Sequence, residues 1–311
     1  MDRPVEQRSG AGPENAALRA FLLGRERLLD SIPRIPAVVQ SILKELDLPP
    51  EKVDLRRVAD LVSRDESLTA QTLRVANSPL FGLARNTNSI VGAVRTLGFS
   101  RIRDIATSRT IMRLGSAQKV MDPRVFWEHS LGCAILSRKL ARSVLFEDPD
   151  KAYLAGLLHD IGFIVNLMLA PQKMQQVIEI AQREKVFMGD VEGAILGFTH
   201  CESGEVLALR WKFSSDNVEA IRHHHSIDQA TVAPALVAIV SLGDRACRTA
   251  DLGVGYPEPS PSDEVWQHDW DILKKYCPTA HSMTWQDFDR DSQRYLPEIQ
   301  ALVKTIFAGA S

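Results

Sequence analysis

Apolar residues recur along this chain at helical spacing, in stretches of several turns separated by short breaks. Val38, Ile42, Leu43 and Leu46 share one face of a helix predicted over residues 37–46, which ends at Leu48-Pro49-Pro50 because proline lacks a backbone donor. Leu55, Val58, Ala59 and Val62 repeat the pattern. Asp65 is a candidate N-cap, since its carboxylate can accept the exposed amides of a following helix carrying Leu68, Thr72, Leu73 and Ala76. Asn77-Ser78-Pro79 stops that helix, and Asn77 is a candidate cap for it. Further helices are predicted over 89–97 and, after a Gly98 stop and a Ser100 cap, to about residue 114. A polar tail over 1–15 and a helix over 16–30 precede all of these.

The second half continues in the same period. A long helix is predicted over 124–142. Asp148-Pro149 opens a shorter one that runs into Gly156-Leu-Leu-His-Asp-Ile-Gly162, so His159 and Asp160 are expected on one helix. Helices follow from Pro171 to Lys185, over 191–196 and over 201–211. Another begins near Ser214, Ser215 or Asp216 and ends in His223-His224-His225. Residues 233–249 are apolar on most sides, 253–261 read as a linker, and helices over 262–276 and 291–307 close the chain. No strand alternation is sustained, so the fold class is all-α. The organisation reads as a tail (1–15), an N-terminal helical lobe (16–118), a second helical lobe (119–250) and a C-terminal helical extension (251–311).

Composition narrows the class. With 311 residues, 45% hydrophobic and 24% charged, the chain can bury a sizeable core. A formal net charge of −2 implies no general attraction to nucleic acid or acidic lipid. The first residues lack an apolar leader, and the apolar run over 161–170, broken by Gly162 and Asn166, is short for a bilayer, so a cytoplasmic protein is expected. Cys133, Cys201, Cys247 and Cys277 are far apart and read as buried free thiols, not as a disulfide set or a Cys-only zinc site.

The candidate chemistry lies in the histidines. Six of eight fall between 129 and 225: His129, His159, His200, His223, His224 and His225. Imidazole and carboxylate suit divalent first-row metals, and a helical bundle can gather such side chains from distant positions. Asp160 and Asp244 accompany the group. Taken alone, the His159-Asp160 dipeptide reads more plainly as a histidine satisfied by a neighbouring carboxylate; the accompanying His129, His200, His224 and Asp244 strengthen the metal reading, though the cluster could act as a buried hydrogen-bond network without metal.

Several separated motifs, in order, resemble the HDOD family, the HD-related output domain of bacterial signalling proteins. They are Ile35-Pro36, Leu73-Arg-Val-Ala-Asn-Ser-Pro79, Ile90-Val-Gly-Ala-Val-Arg-Thr-Leu-Gly98, Phe126-Trp-Glu-His-Ser130, Ala155-Gly-Leu-Leu-His-Asp-Ile-Gly162, His200 with Gly204-Glu-Val-Leu207 and Trp211, Ala220-Ile-Arg-His-His-His225 and Asp244, covering about residues 31–250. The resemblance implies an HD-superfamily-like helical core in the second lobe and kinship with metal-dependent phosphohydrolases and cyclic-dinucleotide phosphodiesterases. It implies a metal set of His129, His159, Asp160, His200, His224, His225 and Asp244, holding one or two divalent ions (Fe, Mn, Zn or Mg), with His223 left over.

Two departures point away from catalysis. The active cyclic-di-GMP phosphodiesterases of the superfamily carry Lys where this chain has Phe163, and a phenyl ring cannot stabilise a leaving oxygen as a cation does. They also carry Glu where this chain has Ser226. The resemblance therefore implies a regulatory module acting on signalling proteins, with no catalytic residue. The alternative is a metal-dependent phosphoric ester hydrolase, in which Asp160 and a water on the metal would act. A nucleotide is a candidate ligand; direct contact with nucleic acid or membrane is not expected. Arg101, Arg109 and Arg113 form a candidate anion patch, with ordinary solvated surface as the plainer reading. Trp127 and Trp211 read as core-wall residues, and Trp266, Trp270 and Trp285 as packing of the C-terminal extension on the second lobe.

Overall fold

A computed structural model describes residues 36–46, 48–77, 87–115, 123–211, 213–252 and 261–307. The tail and the helix expected over 16–30 lie outside the described residues. The described residues form helices and no strands.

Among the described residues, four α-helices build the first lobe: α1 (Ala37–Leu46), α2 (Leu55–Ser63), α3 (Glu66–Ala76) and α4 (Ile90–Gly115). The Asp54 and Asp65 carboxylates cap α2 and α3, accepting the Arg56 and Leu68 amides at 2.8 Å. Asn77 ends α3 and holds the incoming chain with both amide atoms, donating to the Thr87 carbonyl at 2.8 Å and accepting its amide at 2.7 Å. At Gly98, φ is +76°, a conformation glycine adopts freely, and α4 bends there, where the sequence places a stop. Val39, Ile42, Val58, Val62, Leu68, Val94 and Ile102 form the apolar cluster of this lobe.

The second lobe is built on α5 (Pro123–Ser143), which packs against α6 (Pro149–Leu158) and α12 (Pro234–Thr249). Between these come α7 (Ile161–Leu169), α8 (Pro171–Glu184), α9 (Met188–Leu196), α10 (His200–Arg210) and α11 (Ser215–His223). The C-terminal helices α13 (Asp263–Tyr276), α14 (Trp285–Gln293) and α15 (Leu296–Phe307) add Trp266, Trp270, Trp285, Phe288 and Ile299 to the second-lobe core. Trp266 stacks on Trp285 with ring centroids 5.2 Å apart. Helix α15 also reaches α3, tying the lobes together.

Three expectations need correction. The helix expected over 291–307 is two helices: Thr284 caps α14 by accepting the Asp287 amide, and α15 starts afresh at Leu296. Residues 161–170 are not merely an apolar run, since α7 occupies 161–169. Together with α6 it makes a stretch, Pro149–Leu169, that is long and apolar enough to cross a bilayer by length and composition, its most apolar 18-residue window having a mean hydropathy of 1.6, but 89% of that window is buried inside the fold. Finally, His159 and Asp160 do not share a helix: His159 is the C-cap of α6 and Asp160 the N-cap of α7. That junction projects two adjacent side chains to the same point.

Candidate metal centre

Five elements meet at this junction. His129 comes from the middle of α5, His159 and Asp160 from the α6–α7 corner, His200 from the first turn of α10, His224 and His225 from the end of α11, and Asp244 from α12. The close approach of α7 and α10 depends on glycine: a Cβ at Gly162 would overlap the His200 carbonyl, and one at Gly204 would press on Ile221. All of the group except His225 are buried, at 5% exposure or less.

The outward ring nitrogens are tied down. The carbonyl oxygens of Leu252, Gly156 and Ile221 can only accept, so Nδ1 of His129, His159 and His224 donates to them, at 2.6, 2.7 and 2.9 Å. His200 Nδ1 donates to Glu192 Oε2 at 2.7 Å, and Asn166 donates to the other oxygen of Glu192 at 3.0 Å. In each neutral ring, Nε2 then carries a lone pair directed inward.

These lone pairs converge. His129 Nε2 stands 3.2 Å from His159 Nε2 and 3.2 Å from Asp244 Oδ1. Two nitrogens facing each other so closely repel unless a proton or a cation lies between them. Nitrogen ligands on one tetrahedral ion stand about 3.3 Å apart. Asp160 spans the group: Oδ2 lies 3.4 and 3.3 Å from Nε2 of His129 and His159, and Oδ1 lies 3.5 and 3.4 Å from Nε2 of His200 and His224. Asp160 sits at an N-cap position yet makes no side-chain bond to the α7 amides. Its Oδ1 and His200 Nε2 are both buried without a hydrogen-bond partner. The donors form two subsites, His129–His159–Asp244 and His200–Cys201–His224–His225, bridged by a third group, His159–Asp160–His224, with ligand atoms within 4.8 Å of one another in each. Inward lone pairs, two carboxylates and orphaned buried polar atoms fit a divalent metal at either subsite.

The charges are strongly coupled. Burial resists charging His129, yet hydrogen bonds to Asp160 and Asp244 raise its pKa to about 9. Burial, the largest effect, lowers the pKa of His159, but the charges of Asp160 and Cys133 and hydrogen bonds to Asp160 and Asp244 together raise it well above the ordinary imidazole value. His200 and His224 are also raised against burial, through Cys201 together with Glu192 and Asp160 respectively. Burial would lift both carboxylates, but His159 with His129 and His224 holds Asp160 well below the usual range, and Arg248 with His129 and His159 does the same for Asp244. His225 is pushed well below the imidazole value by burial and by the charges of His224 and Arg248. The Cys201 thiol, despite burial, is pulled down to about 6 by His200 and His224.

All seven residues proposed from the sequence as ligands therefore lie together, with His225 at the edge: its Nδ1 is 3.9 Å from Asp244 Oδ2 and its ring meets Phe187 at 4.7 Å. His223 lies outside the group and contacts the Ser226 hydroxyl at 3.2 Å. Phe163 points into the core and stacks on Phe126 with centroids 6.0 Å apart. Sequence reasoning did not pick out Glu192 or Arg248, and read Cys201 only as a buried free thiol, which it is. Arg248 stands four residues after Asp244 and grips it at 2.8 Å, a spacing visible in the sequence. Cys201 adjoins His200, but Glu192 carried no signal. Of the candidate anion patch, Arg101 is half-buried with contacts of its own, and the side chains of Arg109 and Arg113 lie outside the described residues.

The family model for the HDOD domain matches residues 32–227. The chain belongs to the HDOD domain family. An HDOD domain protein of unknown function from Geobacter sulfurreducens superposes with a TM-score of 0.78 at 28% identity, covering 93% of this chain and 99% of that one. A candidate signal transduction protein from Marinobacter aquaeolei (TM-score 0.77, 20% identity, 94% and 65% covered) shares the fold. So does a candidate phosphohydrolase from Shewanella amazonensis (0.71, 22%, 92% and 98%). An uncharacterised Treponema pallidum (strain Nichols) protein is 25% identical over 236 residues, 74% of this chain but only 45% of that protein. The HDOD chain thus spans about half the length of this curated relative. HDOD membership accounts for the two-lobed helical fold.

Proposed function

We propose that this HDOD protein is a regulatory signal-transduction module that acts through protein partners and is ordered by a divalent metal centre. The observation that carries this reading is the deeply buried donor cluster, six of its seven donors at 5% exposure or less, set in a core that Phe163 helps to pack. Phe163 supplies packing where a cation would serve chemistry. An ion held here would link α5, the α6–α7 corner, α10, α11 and α12, so that occupancy sets the packing of the second lobe, and partners would read that packing. The test is affinity capture of partners by the metal-loaded and the chelated protein from a bacterial lysate, with Asp160→Asn alongside. Partners retained only by the loaded wild-type protein support the reading; identical recovery from all three contradicts it.

A second reading, a metal-dependent phosphohydrolase, is favoured by Asp160, whose two oxygens face the two subsites. Bound ions would supply an activated water and neutralise phosphate charge. His225, Arg248 and Phe187, the partly exposed residues beside the cluster, would meet the substrate. Turnover of cyclic-di-GMP or pppGpp with added Mn or Fe, abolished in Asp160→Ala, would establish it in place of the regulatory reading.

A further inference from the structure

The two subsites are not chemically alike. The first holds the Asp244 carboxylate, with Oδ1 3.2 Å from His129 Nε2 and 3.7 Å from His159 Nε2, while His225 of the second meets only its other oxygen, at 3.9 Å. The second shares only Oδ1 of Asp160, and its other neighbours are imidazoles. A divalent ion there would lack an anionic donor of its own. The thiol of Cys201 occupies that place. Cys201 is buried, its Sγ is 3.9 Å from His224 Nε2, and its side chain joins ring nitrogens of His200, His224 and His225 in a group whose ligand atoms all lie within 4.8 Å of one another. Sulfur and nitrogen ligands on one tetrahedral zinc stand about 3.6 Å apart. The unpartnered Nε2 of His200 is a second, independent sign that this space is built for a ligand.

We propose that Cys201 is a thiolate ligand at the second subsite, making it a mixed sulfur–imidazole site for a borderline or soft ion such as Zn²⁺ or Fe²⁺, beside an imidazole–carboxylate site for a harder one. This rests on the metal-centre reading and deepens it. Thiolate donors favour zinc and iron over magnesium, whereas carboxylate and water suit magnesium and manganese. The thiol proton passes to the buffer as the ion binds.

Cobalt(II) is the probe. The full chain, stripped of metal and titrated with Co²⁺ without oxygen, should develop a near-ultraviolet sulfur-to-cobalt charge-transfer band with one of the bound ions. The band should vanish in Cys201→Ser and persist in Cys133→Ser, Cys247→Ser and Cys277→Ser. These three variants assign the sulfur by elimination should Cys201→Ser fail to fold. Cobalt uptake without a sulfur band, or a band lost with one of the other cysteines, overturns the inference and leaves the metal centre standing. Absence of any cobalt uptake overturns both.

Discussion

At His129 the inward nitrogen has two possible guests. Without metal it holds a proton between Asp160 and Asp244, and its pKa rises to about 9 from the ordinary 6.5. A folded-state value above the unfolded one stabilises the fold fully below pH 6.5 and loses that contribution as pH rises through 9. The metal-free protein should therefore become less stable between pH 6.5 and pH 9, followed by its unfolding midpoint. Metal must displace this proton, so metal affinity should rise over the same interval, with proton release visible by calorimetry in buffers of different ionisation enthalpy. A metal-free protein gaining stability across that window would contradict the assignment. The histidines and aspartates were legible as a set because imidazole is rare and the family motifs space it. Glu192, which orients His200, was not: an acidic residue on a neighbouring helix looks like any solvated side chain until folding places it 2.7 Å from the ring.

Among the elements, α7 and α10 carry the most exacting fit. Gly162→Ala drives a methyl group into the His200 carbonyl and the Gly204 amide, which are backbone atoms and cannot swing away. The cost should be about 1–3 kcal/mol in urea unfolding, with weaker metal uptake. Gly193→Ala, in α9, meets nothing within 4 Å and should be neutral or stabilise by about 0.4–1 kcal/mol. Most helices were legible from apolar period and caps: Asp65, Gly98 and Asp148-Pro149 each stand where the structure starts, bends or opens a helix. The α6–α7 corner was not. Its residues are apolar on both sides, so periodicity runs through it, and the break at His159-Asp160 follows from the gathering of α5, α10 and α12 around the pair. Asp160 further hid the break, because its carboxylate serves the imidazoles instead of capping α7.

For the whole molecule, an ion that binds only the folded state stabilises it by RT ln(1 + [L]/Kd), about 2.7 kcal/mol at 100 times Kd. Chelation should lower the unfolding midpoint of the second lobe, where all the donors reside, and hydrogen exchange should quicken in α5, α7, α10 and α12 more than in α1–α3. Equal changes in both lobes would mean that α15, which packs on α5 and α3, couples them into one cooperative unit. The central claim is that the buried His–Asp cluster holds metal. Elemental analysis of untagged protein, reconstituted under metal-replete conditions and freed of loose ions, tests it most directly: one or two divalent ions per chain in wild type and a loss of bound metal in Asp160→Asn are predicted, whereas wild-type protein without metal would contradict the account.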